Sequence, residues 1–236
     1  MTGVLAGARV PRVFLLSPAQ RNTGRHKAPA RLGGVRASLL LRPGARFDLA
    51  LRVQGGGAPL GEVMSFVSGL YFRGKLAYAR AFAAPPRGAV GALVILPQGE
   101  LAPVDRPVTR EEMERQSARD IDADDPGYWQ GLLAAAGLVA RVLGSGGQAV
   151  LLGSIATDRY CGPLLEALGD RLHFPAAFVG RGDNSRGGLL LRAARSGDEL
   201  DYIRVAGATR NGPRPPRLPR HGGVGGAVSS RRGVDP

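Results

Sequence analysis

The sequence is short of cysteine, histidine, lysine and long apolar runs, and each shortage excludes something. Cys161 is the only cysteine. That rules out an intramolecular disulfide framework and any zinc site built from several thiolates. The three histidines, His26, His173 and His221, are scattered and argue against a histidine metal centre. No metal or cofactor is expected. No apolar run approaches the ~18 residues that span a bilayer. The first 19 residues lack a continuous apolar core, because Gly7, Arg9, Pro11 and Arg12 interrupt it. No signal peptide is read there, and a cytoplasmic, reducing location is the default expectation.

What is present is positive charge on a chain able to build a core. The 236 residues are 44% hydrophobic, enough for one domain of good size. The formal charge is +13, with a pI near 11.2. Such a chain attracts polyanions unless its charge is well dispersed. Of 32 basic residues only Lys27 and Lys75 are lysines. Abundant Arg, Ala and Gly also follow from GC-rich codon usage, so total charge alone does not separate function from composition. The distribution says more. Residues 1–60 hold ten basic residues against Asp48, and residues 207–236 hold six arginines against Asp235. The stretch 105–125 reverses this, with eight acids against four arginines. A polarised surface suits that pattern.

Short apolar runs at Val13–Leu16, Ala92–Leu96, Ala149–Leu152, Ala176–Val179 and Tyr202–Val205 read as strands. Leu39–Leu41 and Phe47–Val53 also read as strands, the second by its alternation of Phe47, Leu49, Leu51 and Val53. From Pro59 a helical stripe runs through Val63, Phe66, Val67, Leu70 and Tyr71, with a break expected near Gly69–Gly74. Residues 98–107 read as a proline-bearing loop. Thr109 and Glu112 form a capping-box pattern before a helix over 110–119. Gly127–Leu143 and Gly162–Leu172 read as helices, and Gly188–Ala194 as a helical turn or a strand. Strands alternating with helices predict a single α/β domain over residues 11–208, its sheet mainly parallel or mixed and covered on both faces. Residues 1–10 are expected to be flexible. Residues 209–236, rich in Pro, Gly and Arg, are expected to be a disordered basic tail.

Three strand exits carry candidate chemistry. Ser17 follows the first strand at the carboxyl edge where α/β sheets bind ligands, unless it is simply a serine at a strand exit. Gly153 and Ser154 follow another buried strand. Gly there lets a backbone come close, and Ser with backbone N–H groups suits an anion. Asp158 is a ligand-facing residue or a helix cap. The densest polar segment holds Arg181, Asn184, Ser185, Arg186 and Gly187. Its arginines suit phosphate, unless Asp183 neutralises one of them. The acidic segment Asp120–Asp125, with Glu111, Glu112 and Glu114, is a Mg²⁺ or Ca²⁺ site or, more simply, a solvated face. Cys161 lies early in a helix, where the macrodipole lowers a thiol's pKa, although lone cysteines are commonly buried. No catalytic triad is apparent.

Taken in order, these motifs resemble the YaaA-like family of bacterial peroxide stress proteins. The likeness lies in Ser17–Ala19; Gly69, Tyr71 and Gly74; Gly99, Leu101, Pro103, Asp105, Glu112 and Met113; Tyr128–Trp129; Gly153–Ser154 with Asp158 and Tyr160; and Ser185–Gly187 with Leu189–Leu190. The family's lysine after Ser-Pro-Ala is Gln20 here, and its basic pair is Asp183–Asn184. Residues 20–60 show no counterpart of its helix-hairpin-helix. The resemblance implies a compact α/β fold, a basic cleft and DNA binding in a stress response.

The expectation is a nucleic-acid-binding protein contacting the phosphate backbone of DNA or RNA. Ser17, Gly153, Ser154, Arg181, Ser185, Arg186 and Gly187 would form its site, with Tyr71, Lys75, Asp105, Asp158 and Tyr160 in support. Two alternatives stand beside it: an enzyme acting on a nucleotide or nucleobase in a pocket at the carboxyl edge, and an interaction module working through its basic tail.

Overall fold

Four consecutive residues of the first strand, Val13 to Leu16, are buried, which requires cover on both faces of the sheet. The computed structural model describes residues 10–18, 22–23, 26–27, 35–117, 121, 124–210, 212–213 and 215–216. The expectations for residues 1–9 and for most of the tail fall outside these. The strands are β1 (Arg12–Leu16), β2 (Asn22–Thr23), β3 (His26–Lys27), β4 (Ala58–Pro59), β5 (Ala92–Ile95), β6 (Leu101–Pro103), β7 (Pro107–Val108), β8 (Gln148–Leu152), β9 (Leu172–Pro175) and β10 (Tyr202–Arg204). The helices are α1 (Val35–Leu41), α2 (Asp48–Gly55), α3 (Leu60–Ser68), α4 (Leu70–Phe82), α5 (Arg110–Ser117), α6 (Pro126–Leu143), α7 (Asp158–Leu168) and α8 (Asp183–Ser196).

One six-stranded sheet runs in the order β10–β9–β8–β1–β5–β6. Its four inner strands are parallel, and the edge strands β10 and β6 are antiparallel to their neighbours. Helix α4 packs on α8 and α6 on α7. The mixed sheet and its helices form the α/β domain that the alternating pattern predicted. The chain passes from β1 to β5 on one side, then crosses back to β8 and β9 on the other. Strand order therefore reverses between β1 and β8, and the carboxyl end of such a reversal is where open α/β sheets take ligands. Ser17 and Gly153 are the residues that leave these two strands.

Several elements differ from the sequence reading. Residues 39–41 and 48–53 are helical, within α1 and α2, and Phe47 is the extended residue that precedes α2. The apparent alternation of 47–53 is overridden by an i,i+4 pair, Asp48–Arg52 at 3.0 Å, and by burial of Ala50 and Val53, three apart, while Leu51 stays 53% exposed. The stretch 98–107 is not simply loop: β6 pairs with β5, Val94 opposite Ala102, and its proline sits on an edge strand, where a missing N–H is tolerated. The strand expected at 176–179 lies four residues earlier, as β9, and 176–178 is a 3₁₀ turn. Helix α7 likewise begins at Asp158, ahead of Gly162. It contains Pro163, whose missing N–H frees the carbonyl of Arg159. The Tyr128 hydroxyl donates to that carbonyl at 3.1 Å. Residues 188–194 belong to the 14-residue α8, which excludes a strand there.

The expected break comes at Gly69, at φ +72°, while Gly74 lies inside α4. The Thr109 cap is present, its hydroxyl accepting from the Glu112 N–H at 3.4 Å. Asp125 caps α6, accepting from the Gly127 N–H at 2.8 Å with Pro126 in the first turn. Replacing Asp125 by alanine should cost about 1 kcal/mol, read as a lower urea midpoint with unchanged m.

Candidate functional site

Lys75 is fully buried on α4. Its Nζ donates to the Ser17 carbonyl at 2.7 Å and lies 2.9 Å from Ser17 Oγ. The ammonium sits 3.8 Å from the centre of the Tyr71 ring, one turn back on the same helix. Burial holds the amine down to about 7 from its ordinary 10.5; Asp183 opposes that shift and Arg186 adds to it. Near neutral pH the site thus contains an amine able to lose its proton beside a serine hydroxyl.

The surrounding backbone is drawn tight by small residues. A Cβ on Gly153 would come within 2.8 Å of Ser17 Oγ, so glycine allows β1 and β8 to end side by side. A Cβ on Gly74 would lie 2.6 Å from the Gly187 carbonyl oxygen, and one on Gly187 would lie 2.8 Å from the Tyr71 Cα. Glycine on both helices brings α4 against α8 at the level of Tyr71 and Lys75. That contact sets the first turn of α8, with Asp183 and Arg186, beside them. The Arg186 guanidinium donates twice to the Phe178 carbonyl, at 3.2 and 3.0 Å, lies 5.3 Å from the Phe178 ring and 3.8 Å from Asp183.

The hydroxyls of Tyr71 and Tyr160 are buried and make no well-formed hydrogen bond, with the Arg186 guanidinium beside the first and the Arg159 guanidinium beside the second. Burial raises both phenols well above their ordinary range. Arg186 pulls Tyr71 back and Arg159 pulls Tyr160 back, while the charge of Asp183 pushes both further.

The sequence candidates therefore divide. Ser17, Gly153, Arg186 and Gly187 converge, together with Tyr71 and Lys75. Ser154 lies next to Gly153, but its hydroxyl accepts from the Ala156 N–H within its own turn. Arg181 binds the Ala177 and Pro216 carbonyls and the Ser185 hydroxyl, which occupies both Arg181 and Ser185. Asp105 pairs with Arg80 and Asp158 with Arg210 at exposed positions. Cys161 is buried and its thiol is pushed up to about 11, with desolvation the largest cause; the macrodipole does not make it reactive. In the acidic segment, Glu112 pairs with Arg106 and Glu114 with Arg110. Among the described residues no group of three or more His, Cys, Asp or Glu side chains is placed to hold a metal ion, and no helix is long and apolar enough to cross a membrane.

The reading from sequence set Lys75 in a supporting role and gave Asp183 only a pairing role. A signal for Lys75 was present. In a chain that otherwise uses arginine, a lysine on an apolar helical stripe is a choice of residue type, because arginine cannot give up its proton. No family model matches the chain, and no curated protein or solved structure matches it.

Proposed function

We propose that this protein is an enzyme acting on a nucleotide or nucleobase at the carboxyl edge of its sheet, with Lys75 as the base that serves Ser17. The observation that carries this reading is the fully buried Lys75 amine on the Ser17 hydroxyl. Burying an amine is costly, and a methionine or leucine would fill the same space without that cost. Strongly shifted groups in a crevice are what acid–base catalysis uses. The neutral amine still donates to the Ser17 carbonyl while its lone pair accepts the hydroxyl proton as Oγ attacks. The +13 charge and its concentration toward the two ends of the chain support this substrate class, since positive charge draws nucleotides and their polymers. The resemblance to the YaaA-like family supports the same location, because Ser17, Tyr71, Gly74, Gly153, Arg186 and Gly187 carry that resemblance and also meet at this site.

The test is incubation with nucleotides, nucleosides and short DNA and RNA strands, with products followed by mass spectrometry. Lys75→Met and Ser17→Ala should each lower turnover by roughly 10²–10⁴-fold. A wild-type protein that turns over none of these, or a Lys75→Met protein at the wild-type rate, removes the reading.

The basic charge favours a second reading, in which the protein grips DNA or RNA through phosphates without chemistry, as in a stress-related DNA-binding protein. Affinity would then fall with salt, with a log–log slope of roughly −0.9 per phosphate neutralised on duplex DNA. A flat salt titration excludes it.

A further inference from the structure

Among the described residues the Lys75 amine meets three groups, and two of them can only accept. Its Nζ lies 2.7 Å from the Ser17 carbonyl oxygen, 2.9 Å from Ser17 Oγ and 3.8 Å from the centre of the Tyr71 ring. A carbonyl oxygen accepts only, and so does the electron-rich face of an aromatic ring. A hydroxyl both donates and accepts. The charged amine has three N–H groups, one for each neighbour. The neutral amine has two N–H groups and a lone pair. Turned toward the carbonyl or the ring face, that lone pair would meet negative charge. Ser17 Oγ is the one neighbour of the three with a proton to offer. The other acceptor for that proton, the Leu152 carbonyl, is farther off at 3.5 Å.

The ring is held in place. Tyr71 stands four residues before Lys75 on α4, a spacing at which helical side chains meet. A Cβ on Gly187 would lie 2.8 Å from the Tyr71 Cα, so α8 presses on its backbone. The Phe178 ring packs against it edge-on, with centroids 6.3 Å apart. Its hydroxyl faces Arg186. The two ends of one side chain therefore serve different cations, the hydroxyl Arg186 and the ring face Lys75.

We propose that Tyr71 is a positioning residue of this site: its ring face takes one N–H of Lys75, which leaves the amine's lone pair only the Ser17 hydroxyl to face. The inference rests on the reading of Lys75 as the base that serves Ser17, and it names what aims that base. In the transfer the Ser17 O–H bond breaks and the Nζ lone pair forms the new N–H bond. The electron pair left on Oγ goes to the substrate. The positive charge that arrives on Nζ then lies over the ring face, which attracts cations.

The experiment follows Lys75 by NMR in full-length protein grown with isotope-labelled lysine. Only Lys27 and Lys75 carry the label, and a Lys75→Met spectrum assigns them. Wild type, Tyr71→Phe and Tyr71→Leu are titrated, with Asp183 and Arg186, the charged groups of α8 that act on Lys75, unchanged in all three. Tyr71→Phe keeps the ring and loses the hydroxyl. It should show the upfield ring-current shift of wild-type Lys75 and titrate with wild type. Tyr71→Leu should lose that shift, and its ammonium should give up the proton about tenfold more readily. Tyr71→Met makes the same comparison should leucine prevent folding. With a substrate that is turned over, the leucine variant should have a kcat about tenfold below that of Tyr71→Phe, at equal KM. An aliphatic variant that titrates with wild type, or a Tyr71→Phe protein that titrates with the aliphatic variant, would overturn the inference. Its failure is separable from that of the enzyme reading. Lys75-dependent turnover with a titration indifferent to the ring sinks only this inference. Ring-dependent titration without turnover sinks only the enzyme.

Discussion

A Gly187→Ala protein should unfold at markedly lower urea or temperature than wild type, although only one methyl group is added. The new Cβ would sit 2.8 Å from the Tyr71 Cα and 3.1 Å from the Leu70 carbonyl oxygen. Both are backbone atoms of α4, so no side chain can swing aside, and the two helices must separate. Overpacking of this kind costs roughly 1–3 kcal/mol, or about 2–4 °C of melting temperature per kcal/mol at this chain length. The damage should also reach the site, because the same contact sets Tyr71 and Lys75 against the first turn of α8. Gly137→Ala in α6 is the control. A Cβ there meets nothing within 4 Å, so the gain in helix propensity should stabilise by about 0.5–1 kcal/mol. Equal effects from the two substitutions would mean that the close approach of α4 to α8 does not matter.

The elements legible in the sequence were those whose burial leaves a simple pattern. β1, β5 and β8 are covered on both faces and therefore read as unbroken apolar runs. α6 is long, with Asp125–Pro126 marking its start. The misreadings share a cause: short segments for which two periods fit equally well. In 47–53 the apolar residues satisfy a strand's alternation, but packing uses Ala50 and Val53, a helical spacing that alternation conceals. β9 is four residues long and includes His173, so its apolar signal is weaker than that of Ala176–Val179 just after it. The 3₁₀ turn took the residues that looked more like a strand.

The site was legible wherever it depended on a strand's exit. Ser17 and Gly153 follow from the strands alone, and the reversal of strand order explains why they meet. The arginines were harder. Arg186 was read as a loop residue reaching for phosphate, and it lies on a helix with its guanidinium on the Phe178 carbonyl. Whether an arginine is available depends on which carbonyl lies within reach, and a chain's composition does not contain that. Lys75 and Asp183 come from separate elements, 108 positions apart by their numbering. Only the glycine contact between α4 and α8 puts them together.

That lysine sets the second large effect, a dependence of stability on pH that a Lys75→Met protein should lose. In the folded protein the amine titrates near 7, and an unfolded lysine titrates near 10.5. Below pH 7 both states carry the proton, and the cost of burying the charge is fully present. Between 7 and 10.5 the unfolded chain holds a proton that the folded one has released. Stability therefore rises with pH, by up to about 1.4 kcal/mol per unit, or about 4 kcal/mol from pH 7 to 10. Little else competes in this window, because arginine does not titrate there and Lys27 is the only other lysine. Above pH 9 the raised thiol of Cys161 acts in the opposite sense, and above pH 10 so do the raised phenols of Tyr71, Tyr78, Tyr128, Tyr160 and Tyr202; the folded state then keeps protons that the unfolded chain gives up. Methionine at 75 breaks two hydrogen bonds to Ser17, which shifts stability by an offset that does not vary with pH. Urea unfolding at pH 6, 7, 8, 9 and 10 should then give a wild-type curve that climbs toward 10 and a variant curve that stays nearly flat until the thiol and phenols begin to titrate. Parallel curves would mean that Lys75 keeps its proton in the folded state. It would then be a cation bound to Ser17 and Tyr71, unable to serve as a base.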